Sequence, residues 1–498
     1  MPDRAILAID QGTTNTKAIL VAADGAILAR GAAPVPIEHP QPGWVQQDAE
    51  AIWQSVLTAI AACLADNPDA GPVGLGISNQ RESVMIWDRR NGAPLGPVVT
   101  WQCRRTTAAC EALKARNTEA DVLARTGLPL DPLFPALKLN WLLETARQRD
   151  DSVATENLCA GTVDSWLIWR LTDGAVHATD RSNAARTQLF NLAAADWDDD
   201  LCALFDVPRK ILPKVHDSQY NFGTTKGLAV LPDGIAVGSA IGDSHAALFG
   251  HCAFRPGDAK ATFGTGASVM ATVPSFLKPE AGLTTTIAWS LDGNSTFAFE
   301  GNILVSASIL PWTAELLGLD GDVDALMALA ESVPDTEEVA LVPALVGLGA
   351  PHWAPAARGL ISGISFAADR RHVARAAAES MAFQVADVFR AVADQSPAPL
   401  GRLFVDGGPS RNGFLMGMVA DLLDHPVQPC DAPEVSAQGA AYLAGLTVGF
   451  WDSLEELEAL PKARTRIDPS LSDDTRSRLQ GRWRDALARC LLPAADNA

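Results

Sequence analysis

The chain has 498 residues, 48% of them hydrophobic, which is enough to fill two large cores, since single cores stop growing near about 250–300 residues. Its 59 acidic and 39 basic residues leave a formal charge of −20, which speaks against a dedicated nucleic-acid or anionic-membrane binder, whose footprint is basic. The start, MPDRAILAIDQGTT, lacks a charged segment followed by an apolar one, no apolar run reaches the ~18 residues of a membrane span, and the eight cysteines are scattered without a CxxC pair, so a cytoplasmic protein with reduced thiols is expected.

AILAID (5–10) and KAILVA (17–22) read as strands joined by the polar turn QGTTNT, and AILAR (26–30) follows an Asp24-Gly25 turn. The result is an antiparallel meander. Rossmann and P-loop folds need a helix immediately after the glycine turn, so both are excluded. A helix is expected over 48–65, then the strand VGLGIS (73–78) leading into NQRE, then the strand SVMIWD (83–88). Residues 105–116, 135–150 and 162–172 read as helices, with Trp166 and Trp169 packed into the core.

A second meander, GDAKATFGTGASVMATV (257–273), resembles the first, and FAFEG (297–301) adds a strand. The Pro/Gly-rich stretch 343–363 reads as a loop. A long amphipathic helix (370–394), the strand LFVDGG (403–408) and a helix (413–423) follow. The boundary is placed near 250, around GHCAFRPGD, giving domains 1–250 and 251–498.

The turn Asp10-Gln11-Gly12-Thr13-Thr14 has phosphate-binding chemistry. Glycine lets backbone N–H groups approach a phosphate, the threonine hydroxyls add donors, Asp10 can hold a hydrated magnesium ion, and Lys17 is a nearby cation. An ordinary hairpin would use the same residues, so this motif does not decide alone. A second such turn, Phe263-Gly264-Thr265-Gly266, would clamp a triphosphate from the other side. At Asp406-Gly407-Gly408 the missing side chains leave backbone for a base and ribose to lie on. The order and spacing of the three carry the argument.

Together they resemble the sugar kinase, Hsp70 and actin superfamily. Within it the chain is similar nearly end to end to the FGGY carbohydrate kinases, and among those to the glycerol kinases. The motifs are AIDQGTT (8–14), HPQPGWVQQD (39–48), SNQRE (78–82), TWQCRRT (100–106), GTVDSWLIW (161–169), GDSHAALFG (242–250), FGTG (263–266), LVGLGAPHW (345–353), VDGG (405–408) and GAAYLAGLTVGFW (439–451). The stretch 359–379 resembles the family's second signature.

The resemblance implies an α/β protein of two ribonuclease-H-like domains around a cleft, with the acceptor on the first and ATP mainly on the second. It implies Asp243 as general base, and Asp10 and Asp243 at Mg2+. For ATP it implies Thr13, Thr14, Asn15, Lys17, Gly264, Thr265, Ala307, Gly408 and Asn412. Arg81, Glu82 and Trp101 would hold the acceptor, a small polyol or sugar, in a homodimer or tetramer. An N-cap is the ordinary reading of an aspartate before a helix, as at Asp243.

Three positions depart from the glycerol kinase pattern. Leu133 stands at a tyrosine, Ser244 at a glutamine and Ser268 at an aromatic. Smaller walls imply a larger cavity, whose two serine hydroxyls would meet extra substrate oxygens. His245 either reaches into that space or packs beneath it. On the nucleotide side Pro311 stands at a glutamine and Ala307 at a glycine, and the loop 223–236 lacks a Gly/Arg-rich segment. The expected activity is phosphorylation of glycerol or a slightly larger polyol. The alternatives are a ketopentose (xylulose-type) kinase, or an Hsp70- or actin-like ATPase with a protein partner.

Overall fold

The computed structural model describes residues 3–492 except 152, 281, 431–433 and 463. Strands β1 (Asp3–Gln11), β2 (Asn15–Val21) and β3 (Ile27–Pro34) form the expected meander, in a register that sets Asp10 opposite Lys17. Helix α1 (Ala49–Asp66) is capped by Asp48, whose carboxylate accepts from the Ala51 N–H at 2.8 Å. It lays Ile52, Val56, Ala59, Ile60 and Cys63 against that sheet, a stripe at helical spacing.

Strand β4 (Ala70–Asn79) runs parallel to β1, and β5 (Val84–Asp88) belongs to a separate four-stranded sheet. Strand β6 (Val237–Gly242) then pairs parallel with β4, giving the order β6-β4-β1-β2-β3, and feeds helix α2 (Asp243–Gly250) directly.

The second half repeats the plan. Strands β7 (Ala259–Phe263), β8 (Ala267–Val273), β9 (Thr284–Leu291) and β10 (Asn294–Ile303) are mutually antiparallel where they pair. After helix α3 (Arg370–Gln395) come β11 (Leu403–Gly407), helix α4 (Gly413–Leu423) and β12 (Val427–Pro429), completing the sheet order β9-β10-β8-β7-β11-β12. β11 is parallel to β7 as β4 is to β1.

The elements differ from the sequence expectation in many places, among them these. β9 was not foreseen: TTTIAWSL is buried almost throughout, so it shows no in–out alternation. The loop 343–363 contains a short strand, Leu360–Ser362, paired with Ala340–Val342. After β11 the chain makes a 3-10 turn, Gly408–Arg411, before α4 begins, so the strand does not pass straight into the helix. Among the described residues no helix is long and apolar enough to cross a membrane.

Helix α5 (Val435–Thr447) belongs to the second half in sequence but packs on the first sheet. Ala437, Ala440, Ala441 and Leu443 share one buried cluster with Ile6, Ala8, Ile241 and Ala246. Against α2 the contact is backbone to backbone: a Cβ on Gly439 would lie 1.9 Å from the Ala246 carbonyl oxygen. Gly439→Ala is therefore expected to destabilise by about 1–3 kcal/mol. Gly481→Ala, at a helical glycine with open space around it, should be neutral or slightly stabilising. Thermal unfolding of both variants checks this pair.

Candidate active site

Parallel strands β1, β4 and β6 end side by side, so Asp10, the segment Asn79–Glu82 and Asp243 come to one edge of the sheet. Asp10 Oδ1 accepts from the Ser78 hydroxyl at 2.7 Å, and burial raises its pKa against that bond and the field of Lys17. Asp243 is the first residue of α2; the N-cap is Gly242, so Asp243 does not cap the helix. Its Oδ1 accepts from the Ser244 N–H at 2.6 Å and lies 3.2 Å from Arg81 Nε, and 40% of its side chain remains open. Burial, with Asp10 and Glu82 nearby, pushes its pKa up to about 6 despite Arg81.

Arg81 and Glu82, expected as a pair for the acceptor, are each held from elsewhere. Arg81 Nη1 sits 2.8 Å from Glu300 Oε1, and Arg186 bridges Glu82 (2.6 Å) and Glu300 (2.9 Å). The charges alternate Glu82, Arg186, Glu300, Arg81, Asp243. Burial would raise the Glu300 pKa, but Arg186 and Arg81 overcome it and hold the carboxyl well below the usual range. Glu82 has φ +58°, a left-handed conformation costing on the order of 1–3 kcal/mol, and its ion pair with Arg186 fixes it there.

Trp101 is 36% exposed and donates from Nε1 to Thr13 Oγ1 at 2.9 Å, which ties it to the first turn. Beneath it, fully buried Lys138 donates to the carbonyls of Thr100 (2.9 Å), Trp101 (3.4 Å) and Leu133 (2.6 Å). Burial lowers the Lys138 pKa to about 7.

Ser244 and Ser268 face each other, with their hydroxyl oxygens 3.1 Å apart. Buried Lys260 donates to Ser244 Oγ (2.6 Å) and Thr262 Oγ1 (2.8 Å), and Ser268 donates to Glu300 (3.2 Å). The serines are thus joined to a polar network that the sequence did not reveal. His245 is fully buried, 3.2 Å from Thr286 Oγ1, and packs beneath the site instead of entering it.

In the first turn Gly12 N–H donates to the Asn15 carbonyl at 3.0 Å, and Thr14 and Asn15 are exposed. In the second, exposed Thr265 offers its carbonyl to Ser306 N–H (2.8 Å) and the Ser308 hydroxyl (2.9 Å), and Ala307 N–H donates to Gly264 (2.9 Å). The third turn leaves Gly408 with open space where a Cβ would stand, and Asn412 caps α4 through Leu415 N–H at 2.9 Å. All three turns carry exposed backbone.

Arg186, Glu300, Lys260 and Lys138 escaped the sequence reading. Each is buried, and a buried charge is recognisable only from the partner that neutralises it. The one available hint was Glu300, a lone acid inside the apolar strand FAFEG.

Residues 5–250 match the family model for the FGGY family of carbohydrate kinases, N-terminal domain, and residues 259–448 match its C-terminal domain. The chain is 45% identical to an apulose kinase of Pectobacterium atrosepticum, over 98% of each chain. It is 43% identical to a glycerol kinase of Nitrosomonas eutropha, over 99% of each. Among solved structures it superposes on Plasmodium falciparum glycerol kinase with ADP at TM-score 0.92, with 29% identity over 99% of each chain. Xylulose kinase from Lactobacillus acidophilus shares the fold, with TM-score 0.88 over 98% of this chain and 99% of that one, at 20% identity. The chain belongs to the FGGY family of carbohydrate kinases and is an ATP-dependent phosphotransferase acting on a small sugar or polyol.

Proposed function

We propose that the enzyme phosphorylates a hydroxyl of a ketose or polyol longer than glycerol, with Asp243 as general base. The observation that carries this reading is the polar floor beside Asp243, where Ser244 faces Ser268 and accepts from the buried ammonium of Lys260. By the resemblance noted in the sequence, these small polar residues stand where glycerol kinases have larger ones. They supply donors and acceptors for oxygens that glycerol lacks. The "-ulose" in apulose marks a ketose, which agrees with the 45% identity to that kinase.

Asp243 takes the proton of the attacking hydroxyl, and Arg81 orients its carboxylate from 3.2 Å. Trp101 covers the carbon face of the acceptor, and Arg81 and Glu82 hold a pair of its hydroxyls. Gly12–Asn15 and Gly264–Thr265 hold the phosphates between them, with Lys17 opposite Asp10, while Gly408 and Ala307 give the adenosine room. No group of three or more His, Cys, Asp or Glu side chains able to hold a metal ion occurs among the described residues. Two carboxylates at the phosphates suit Mg2+, which keeps most of its waters and binds one or two carboxylates plus substrate phosphates. Asp10 and Asp243 would hold it there, where it would neutralise charge on the β- and γ-phosphates.

The test is an acceptor panel under fixed ATP and Mg2+: glycerol, four- and five-carbon polyols, xylulose and apulose. Two additional matched hydrogen bonds at about 0.5–1.5 kcal/mol each correspond to on the order of tenfold or more in kcat/KM. A four- or five-carbon acceptor is expected to exceed glycerol by that factor. Glycerol as the best substrate would show that Lys260 and the serines satisfy one another and that the larger pocket does not exist.

A further inference from the structure

The Ser244–Ser268 floor has a direction. Four polar side chains follow one another beside Asp243. Lys260 Nζ on β7 lies 2.6 Å from Ser244 Oγ on α2, Ser244 Oγ lies 3.1 Å from Ser268 Oγ on β8, and Ser268 Oγ lies 3.2 Å from Glu300 Oε1 on β10. Both ends of this row are buried, whereas the two serines in the middle are half-buried and open to a ligand.

Each end has a single role. An ammonium only donates and a carboxylate only accepts, while a hydroxyl has one proton and two lone pairs. Arg81 Nη1 and Arg186 Nη1 stand 2.8 and 2.9 Å from the two oxygens of Glu300 and keep it a carboxylate. Ser268 therefore gives its proton to Glu300. The opposite order would leave a hydroxyl oxygen and a carboxylate oxygen 3.2 Å apart with no proton between them. With that proton spent, Ser268 accepts from Ser244, and Ser244 in turn accepts from Lys260, which also donates to Thr262 Oγ1 at 2.8 Å. Each serine is left with one lone pair and no free proton.

We propose that the Ser244–Ser268 pair reads a hydroxyl of the acceptor as a hydrogen-bond donor, and that Lys260 and Glu300, by fixing the order of the protons, make it reject a carbonyl, ether or carboxylate oxygen at that position.

This deepens the proposed function and rests on its reading of the floor as part of the acceptor pocket. Serines in general donate as readily as they accept, so a floor without the two charged ends would take either kind of oxygen. Here a ligand carbonyl takes the Ser244 proton only by leaving the two serine oxygens lone pair to lone pair at 3.1 Å. The substrate class follows: a chain with a free hydroxyl beyond the diol held by Arg81 and Glu82. A ketose is admitted with a hydroxyl on the floor and its carbonyl elsewhere, and a sugar acid whose carboxylate falls there is excluded. Lys260 and Glu300 act through the serines and are positioning residues.

Two measurements on the full-length enzyme test this. Neutron diffraction from crystals exchanged into heavy water locates the hydroxyl deuterons before any acceptor binds. The Ser268 deuteron should point to Glu300 and the Ser244 deuteron to Ser268; a Ser268 deuteron directed at Ser244 overturns the proton order. The kinetic arm takes the member of the acceptor panel with the highest kcat/KM, glycerol included, and replaces each non-reacting hydroxyl in turn by hydrogen and by fluorine. Fluorine is close to a hydroxyl in size but carries no proton, so an effect of pocket volume alone would treat the two alike. At the position over the serines the fluoro analogue should lose about tenfold or more in kcat/KM, no less than the deoxy analogue. Ser268→Ala frees the Ser244 proton for the ligand, so in that variant the fluoro analogue should exceed the deoxy analogue by about threefold. Fluorine replacing every hydroxyl without loss overturns the recognition. A fluoro penalty that Ser268→Ala leaves unchanged overturns it too, and with the deuterons as expected it is the reading of the floor as acceptor pocket that fails, not the proton order.

Discussion

Asp243→Asn is expected to lower kcat by roughly 10²–10⁴-fold while ATP still binds. The amide keeps the size of the side chain and its contact with the Ser244 N–H, but it cannot take a proton from the acceptor. The pH profile separates this role from a structural one. Burial pushes the Asp243 pKa up to about 6, so the free enzyme holds a growing protonated fraction as the pH falls through 6. A protonated carboxyl is no base, so kcat/KM should fall on the acid side with an apparent pKa near 6. That limb should vanish in Asp243→Asn. A variant with near-normal turnover, or an unchanged acid limb, would remove Asp243 from proton transfer.

Asp10→Ala should abolish measurable turnover at every Mg2+ concentration. Asp10 sits opposite Lys17 and is fixed by the Ser78 hydroxyl at 2.7 Å, so its place in the site is set by β1 and β4. The charge of Asp10 is one of the causes that raise the Asp243 pKa, and two neighbouring carboxylates favour a cation between them. Titrating Mg2+ against the variant decides the matter: full recovery at high metal would mean that Asp10 only tunes affinity.

Much of this site was legible in the sequence because its parts are local. AIDQGTT and KATFGTGAS are strand-turn-strand units whose glycines and threonines announce the hairpin, and VDGG is a strand end. Asp243 was legible by resemblance, from GDSHAALFG. The ion network was not. Arg186 and Glu300 are 114 residues apart and meet only because β10 and the segment after residue 180 come together in the fold. Lys260 alternates correctly within a strand, but its ammonium points to a serine contributed by α2. Strand β9 was missed because burial on both faces erases its periodicity. The close seating of α5 on α2 could not be read either, since it depends on where Gly439 and the Ala246 carbonyl meet.

The central claim is that Ser244 and Ser268 set the acceptor. It is tested most directly by the ratio of kcat/KM for a five-carbon ketose to that for glycerol, measured in the native enzyme and in Ser244→Gln/Ser268→Phe. The expected ratio is about ten or more in the native enzyme, from two hydrogen bonds of about 0.5–1.5 kcal/mol each, and below one in the double variant. An unchanged ratio, or a native preference for glycerol, would contradict it.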